Sequence, residues 1–187
     1  MKYIVNNYGN HDLSWIESDD IIVYDKKKIN KGYNIYDYMD WIIKNYYDLP
    51  DVVAFVKGNM LDRHIAKEEW DKIKDNKTFT PILTQLHKTY DPVCHYENGL
   101  YYERNDSWYF YEHEHRFFDN YGDLAKELGL PNPDYLGFAP GGCYIVPKEN
   151  ILKHSRKFYA KIKKMVGYTQ LPAEAHAIER SLYNIWS

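Results

Sequence analysis

The sequence predicts an α/β fold: a mixed, mostly parallel sheet flanked by helices, in a single domain over residues 1–187. Two observations carry this. First, Tyr3-Ile4-Val5, Ile21-Ile22-Val23-Tyr24 and Val52-Val53-Ala54-Phe55-Val56 are short, β-branched-rich runs that each stop at polar residues. Continuous apolar runs of this kind suit strands buried on both faces of a parallel sheet. Second, Ile35, Tyr38, Met39, Ile42, Ile43 and Tyr46 recur at helical spacing between the second and third runs. Strands interrupted by a helix within about sixty residues are the pattern of an α/β sheet.

The remaining elements follow in order. Asp12-Leu13-Ser14-Trp15-Ile16 reads as one helical turn. Asn34 is the expected N-cap of the striped helix. Leu49-Pro50-Asp51 closes that helix, and Lys57-Gly58-Asn59 ends the third strand. Ala66 to Lys74 reads as a polar helix anchored by Trp70 and Ile73. Residues 76–107 read as loop and short strand, and 108–118 fits either strand or helix. Tyr121 to Leu128 is a short helix ended by Gly129 and Pro131. Phe138 to Pro147 is a strand opened by Gly141-Gly142. A helix bearing Ile151, Phe158, Tyr159, Ile162 and Met165 follows, and the last helix runs from about Ala173 to Trp186.

Composition narrows the function. A net charge of −3 gives no basic footprint for nucleic acid. No run approaches the ~20 apolar residues of a membrane span, and MKYIVNNYGN has no apolar core of signal-peptide length. A cytoplasmic location is the expectation. The two cysteines, Cys94 and Cys143, form neither a CxxC pair nor a zinc spacing. The 17% aromatic content, with 20 Tyr, suits a carbohydrate or nucleotide site as well as simple compositional bias. GxSxG, P-loop and GxGxxG patterns are absent from the sequence.

Ligands in open parallel sheets bind beyond the carboxyl ends of the strands. The residues there are Asn7, Tyr8, Asp25, Lys26, Lys57, Gly58 and Asn59. In the next segment, Lys57 and Arg63 can neutralise a diphosphate, and Asp62 with His64 can bind a divalent metal. Gly141 and Gly142 suggest a backbone wall against a flat ligand. On the last helix, His176 lies one turn from both Glu179 and Arg180. His113 and His115 share a face if their segment is a strand.

The stretches HDLSWI, YNIYDYMDWIIKNYYDLPDVVAFVKGN, FAPGGCYIVPKENIL and PAEAHAIERSLYNIW resemble the signature blocks of one family. It is the family called domain of unknown function 3431, which is similar to small GT-A type glycosyltransferases. The resemblance implies a GT-A-like (Rossmann-like) sheet whose first strands hold a nucleotide. Asn7, Tyr8, Asp25 and Lys26 would contact the nucleotide; Lys57, Asn59, Arg63 and His64 would contact the diphosphate. Gly141, Gly142 and Arg180 would face sugar and acceptor. GT-A enzymes commonly carry Asp-x-Asp where this chain has Lys57-Gly58-Asn59. Either Asp62 then supplies a ligand to Mn2+ or Mg2+, or Lys57 and Arg63 replace the metal. The closing block resembles the place of the carboxylate base in inverting enzymes. Glu174 is the expected base, with Glu179 and His176 beside it. The expected reaction moves a sugar from a nucleoside diphosphate sugar, foremost a UDP-sugar, to a hydroxyl, on a glycan or elsewhere. The alternatives are a metal-dependent hydrolase of phosphate or sugar esters, using Asp62, His64, His113 or His115, and a non-catalytic glycan-binding module.

Overall fold

A computed structural model describes residues 1–25, 30–84 and 93–187. Its main sheet is built from β1 (Lys2–Asn6), β2 (Ile21–Tyr24), β3 (Val52–Lys57), β4 (Thr80–Pro81) and β8 (Tyr144–Pro147), in the order β2-β1-β3-β8-β4. A second sheet holds β5 (Cys94–Glu97), β6 (Leu100–Arg104) and β7 (Tyr135–Phe138) in sequential order. The helices are α1 (Tyr33–Asn45), α2 (Met60–Arg63), α3 (Lys67–Ile73), α4 (Trp108–Glu112), α5 (Tyr121–Leu128), α6 (Lys148–Ile151), α7 (Arg156–Val166) and α8 (Ala173–Trp186).

The class is α/β, but the main sheet is not mostly parallel. β1 runs parallel to β2 and β3, while β8 is antiparallel to both β3 and β4. The expectation failed for a physical reason. All four residues of β8 are buried, as are all six of β3. A strand covered on both faces reads as one apolar run whichever way it points. Direction is set instead by the path before it: β7 belongs to the second sheet, and a turn through Ala139–Gly142 feeds the chain back into the main sheet.

Strand alternation sorts the core onto two faces. Ile4, Val53, Phe55, Tyr144 and Val146 face α1, α5, α7 and α8. Tyr3, Val5, Ala54, Val56, Cys143 and Ile145 face Met60, Ile65 and Trp70, on and beside α2 and α3. On the first face, Phe55 stacks on Trp186 with centroids 5.0 Å apart, which seats the end of α8 on the middle of the sheet.

Local details also differ from expectation. Residues 12–16 form a turn, closed by Ile16 N–H donating to the Leu13 carbonyl, rather than a helical turn. Gly32, in the left-handed region, caps α1 in place of Asn34. Asn34 lies inside the first turn, and its amide donates to the Gly141 carbonyl at 2.9 Å. Residues 108–112 are the short helix α4, so His113 and His115 leave it on extended chain without a shared strand face.

Candidate functional site

The chain leaves β1 to build β2 on one side, then crosses back through α1 to build β3 on the other. That reversal makes a crevice at the carboxyl ends of β1 and β3, where open α/β sheets take their ligands. The last rung of the ladder pairs Asn6 with both Tyr24 and Lys57. Asn6 and Lys57 therefore stand side by side, on the α1 face of the sheet. A cavity of about 90 Å³ opens there, lined by Asn6, Tyr8, His11, Tyr33, Lys57 and Asn59. α1 runs back against the strands, so its amino end, the favourable end for an anion, opens beside the same cavity.

Lys57 is buried, at 6% exposure. Its ammonium donates to the Tyr33 hydroxyl at 2.8 Å and lies 4.3 Å from the centre of the same ring. Among the described residues no carboxylate reaches it within ion-pair distance. Asn6 donates its amide to Asp37 Oδ2 at 2.5 Å, and the Tyr8 hydroxyl donates to the same oxygen at 3.0 Å. Among the described residues the Asn6 amide oxygen has no hydrogen-bond partner, although the residue is 3% exposed. Burial, followed by the charge of Asp37, pushes the Tyr8 phenol well above its usual range, so it remains a donor.

Asn7 has another task. Its amide donates to the His11 carbonyl at 3.0 Å and accepts from the His11 N–H at 2.9 Å, clamping the loop over the cavity. Gly58 is needed beneath it: a Cβ there would lie 2.4 Å from Asn7 Oδ1. Sequence reasoning missed Tyr33, which lies ahead of the expected N-cap Asn34 and off the helix stripe. Its φ of +54° is rare for a bulky residue and costs about 1–3 kcal/mol.

The other expected residues divide into two groups. Asp25 is exposed at the end of β2, and Arg63 is exposed at the end of α2. Lys26 and the side chain of Asp62 lie outside the described residues. His64 is 2% exposed beneath Gly141, where a Cβ would sit 2.4 Å from its Nε2 and where φ is +85°. His64 thus packs directly against the glycine turn, whose two glycines are themselves buried and do not line the cavity. The last helix, α8, carries His176, Glu179 and Arg180. His176 stacks on His113 with centroids 4.5 Å apart. Burial, then the charges of Arg180, His113 and Lys57, lowers the His176 pKa to about 3. Burial pushes the Cys143 thiol up to about 12, with Lys57 opposing and Glu179 adding to the rise. Both charges therefore act on that thiol.

Glu174 does not join this face. It falls on the stripe of Ile178, Ser181 and Leu182 and is fully buried. Its Oε1 accepts from the backbone N–H groups of Arg116 and Phe117 at 2.9 and 2.8 Å, and its Oε2 from the Tyr168 hydroxyl at 2.7 Å. The carboxylate is committed to holding the 114–117 loop. Arg180 is likewise occupied. It pairs with Glu103 of β6 and lies 4.8 Å from the ring centres of both Tyr109 and Phe138. Glu179, by contrast, is half-buried, and its carboxylate makes no hydrogen bond or ion pair among the described residues. His115 turns away from His113 to lie against Phe110 and Asp119. Among the described residues no group of three or more His, Cys, Asp or Glu side chains is placed to hold a metal.

A wider groove of about 600 Å³ lies at the opposite end of the strands, lined by Lys2, Val52 and Lys74 among others. Two of its lysines, Lys2 and Lys74, are paired with Asp20 and Glu17. The crevice at the carboxyl ends is the better candidate, because there a cation at 6% exposure has no acidic partner among the described residues.

A model of one protein family matches residues 3–187. The chain belongs to the DUF3431 family, described as proteins of unknown function. The match takes in nearly every element of this family member, including all the residues of the crevice. No curated protein and no solved structure matches it. Among the described residues no helix is long and apolar enough to cross a membrane.

Proposed function

We propose that the chain transfers a sugar from a nucleoside diphosphate sugar, foremost a UDP-sugar, to a hydroxyl of an acceptor such as a glycan. One observation supports the reading: the buried Lys57 ammonium at the switch point between β1 and β3 is held by the Tyr33 hydroxyl, with no carboxylate in ion-pair range among the described residues. A charge buried without a counter-ion is costly unless a ligand completes it. A diphosphate is such a ligand, and the adjacent helix end favours the same sign. The cavity is sized for a phosphate group, and the rest of a nucleotide sugar would lie along the open rim toward the Gly141-Gly142 turn.

In this proposal the diphosphate oxygens take hydrogen bonds from Lys57, with Asn59 beside them. The unpartnered Asn6 oxygen takes a donor from the nucleoside. The acceptor hydroxyl loses its proton to Glu179, the uncommitted carboxylate on the α8 face shared with His176. Its oxygen forms the new bond to the anomeric carbon as the bond from that carbon to the diphosphate breaks, and the electron pair leaves on the diphosphate. Lys57 stabilises the charge that develops there, where a preorganised donor is worth most. Attack from the side opposite the leaving group inverts the anomeric centre. The described donors do not assemble a site for Mn2+ or Mg2+, so no step is assigned to a metal.

Thermal denaturation with UDP, GDP, CDP and their sugars, with and without Mn2+, tests the reading. A ligand at a hundredfold excess over its dissociation constant stabilises by about 2.7 kcal/mol. We expect a UDP-dependent rise in Tm that Lys57→Met removes. If every nucleotide left the wild-type Tm unchanged, the reading would be abandoned.

A further inference from the structure

We infer that Tyr33 is the positioning residue for the anion site: its hydroxyl and ring together fix the Lys57 ammonium while leaving its charge available. This rests on the proposed function above. Lysine carries a point charge on a flexible four-carbon stem, with three donors at its tip. A carboxylate partner would hold that tip but would also neutralise it. The Tyr33 phenol takes one donor at 2.8 Å and lays its π face 4.3 Å from the nitrogen, so two donors and the full charge remain.

The backbone supports the assignment. Gly32 and Tyr33 are both left-handed, at φ +60° and +54°, so an aromatic residue occupies a position that suits glycine or asparagine. The conformation is held by Gly32 N–H donating to the Thr169 carbonyl at 2.8 Å and Tyr33 N–H to the Gln170 carbonyl at 3.1 Å. These two carbonyls belong to the segment that leads into α8. The Tyr33 ring also meets Tyr8 edge-on, with centroids 6.0 Å apart. Strain concentrated on one aromatic whose hydroxyl meets a buried cation is the signature of a side chain placed for a site.

Calorimetric titration of the full chain with inorganic pyrophosphate tests this, using wild type, Lys57→Met and Tyr33→Phe. The phenylalanine keeps the ring and removes only the hydroxyl. We expect Tyr33→Phe to weaken pyrophosphate binding about tenfold, as the loss of a hydrogen bond to a charged group does, together with some loss of Tm because the buried ammonium loses an acceptor. Lys57→Met should abolish binding. A purely structural tyrosine would lower Tm and leave the dissociation constant unchanged. Full affinity in Tyr33→Phe, where Lys57→Met has lost it, would overturn this inference alone. Failure of wild type to bind pyrophosphate, or equal binding by Lys57→Met, would overturn the anion site and this inference together.

Discussion

Arg180 of α8 and Glu103 of β6 form a buried ion pair that ties the last helix to the second sheet. Burial works against the guanidinium charge, but the hydrogen bond and charge of Glu103 outweigh it and hold the pKa above the ordinary arginine value. Trp108, Tyr109 and Phe138 close around the cation. The same guanidinium donates to the His176 carbonyl at 3.2 Å, so the pair also steadies the α8 turn that carries His176 and Glu179. In the folded chain Arg180 thus anchors α8 to the second sheet.

Breaking this pair on one side should be costly. Arg180→Met leaves Glu103 buried beside aromatic rings without its cation. Such changes cost about 3–5 kcal/mol. Replacing both residues, as Arg180→Met with Glu103→Leu, should recover much of the loss, since two apolar side chains leave no stranded charge. Urea unfolding of the two single variants and the double variant measures the coupling. Additive losses would show that the pair is not the unit of stability.

The two carboxylates of α8 should separate cleanly. Glu179→Gln removes an uncommitted carboxylate, and loss of a general base lowers the rate about 10²–10⁴-fold. Glu174→Gln keeps one acceptor oxygen for the Arg116 and Phe117 N–H groups and should alter stability more than turnover. Transfer rates and Tm values of both variants decide the matter. A dead Glu174→Gln with unchanged Tm, beside an active Glu179→Gln, would restore Glu174 as the base.

Much of this was legible in the residues, and the exceptions have causes. The end points of α8, Ala173 and Trp186, and those of α5, Tyr121 and Leu128, follow from helical periodicity and from Gly129, because both are local signals. The three parallel strands were legible for the same reason. The direction of β8 was not, since it depends on the route through the second sheet. Counting helical turns places Glu174 in line with Ile178 and Ser181, so its burial was open to inference from spacing alone. Tyr33 was hidden because an aromatic beside a glycine and ahead of an asparagine cap reads as ordinary helix entry. Its role depends on Lys57, 24 residues away, and only the fold joins them.

Stability should fall with acid through His176. Its folded pKa of about 3 lies below the ordinary imidazole value near 6.5, so between those values the unfolded chain binds more protons. The stabilisation is complete above about pH 6.5 and is lost as pH falls toward 3. The limiting slope for one such group is about 1.4 kcal/mol per pH unit. His176→Asn should flatten the dependence between pH 5 and 6.5, above the range in which most carboxylates titrate. Parallel slopes for wild type and variant in denaturant melts would mean that His176 takes up its proton as readily in the folded chain as in the unfolded one.

Gly58→Ala tests whether the loop over the crevice matters to binding. An added Cβ would stand 2.4 Å from Asn7 Oδ1, closer than packed atoms approach. Asn7 cannot yield freely, because both its amide atoms are bonded to the His11 backbone, and so the 7–11 loop must shift with it. The strand itself is spared, because the Gly58 N–H can still donate to the Asn6 carbonyl, 2.9 Å away. We therefore expect a modest loss of stability, about 1–3 kcal/mol as for other overpacked sites. Nucleotide affinity should fall further, by tenfold or more, because Tyr8 and His11 line the cavity from that loop. Adding Asn7→Gly should relieve the clash and recover stability without recovering affinity, since the clamp on His11 is then gone. Recovery of both in the double variant would show that the loop's closed position plays no part in holding the ligand.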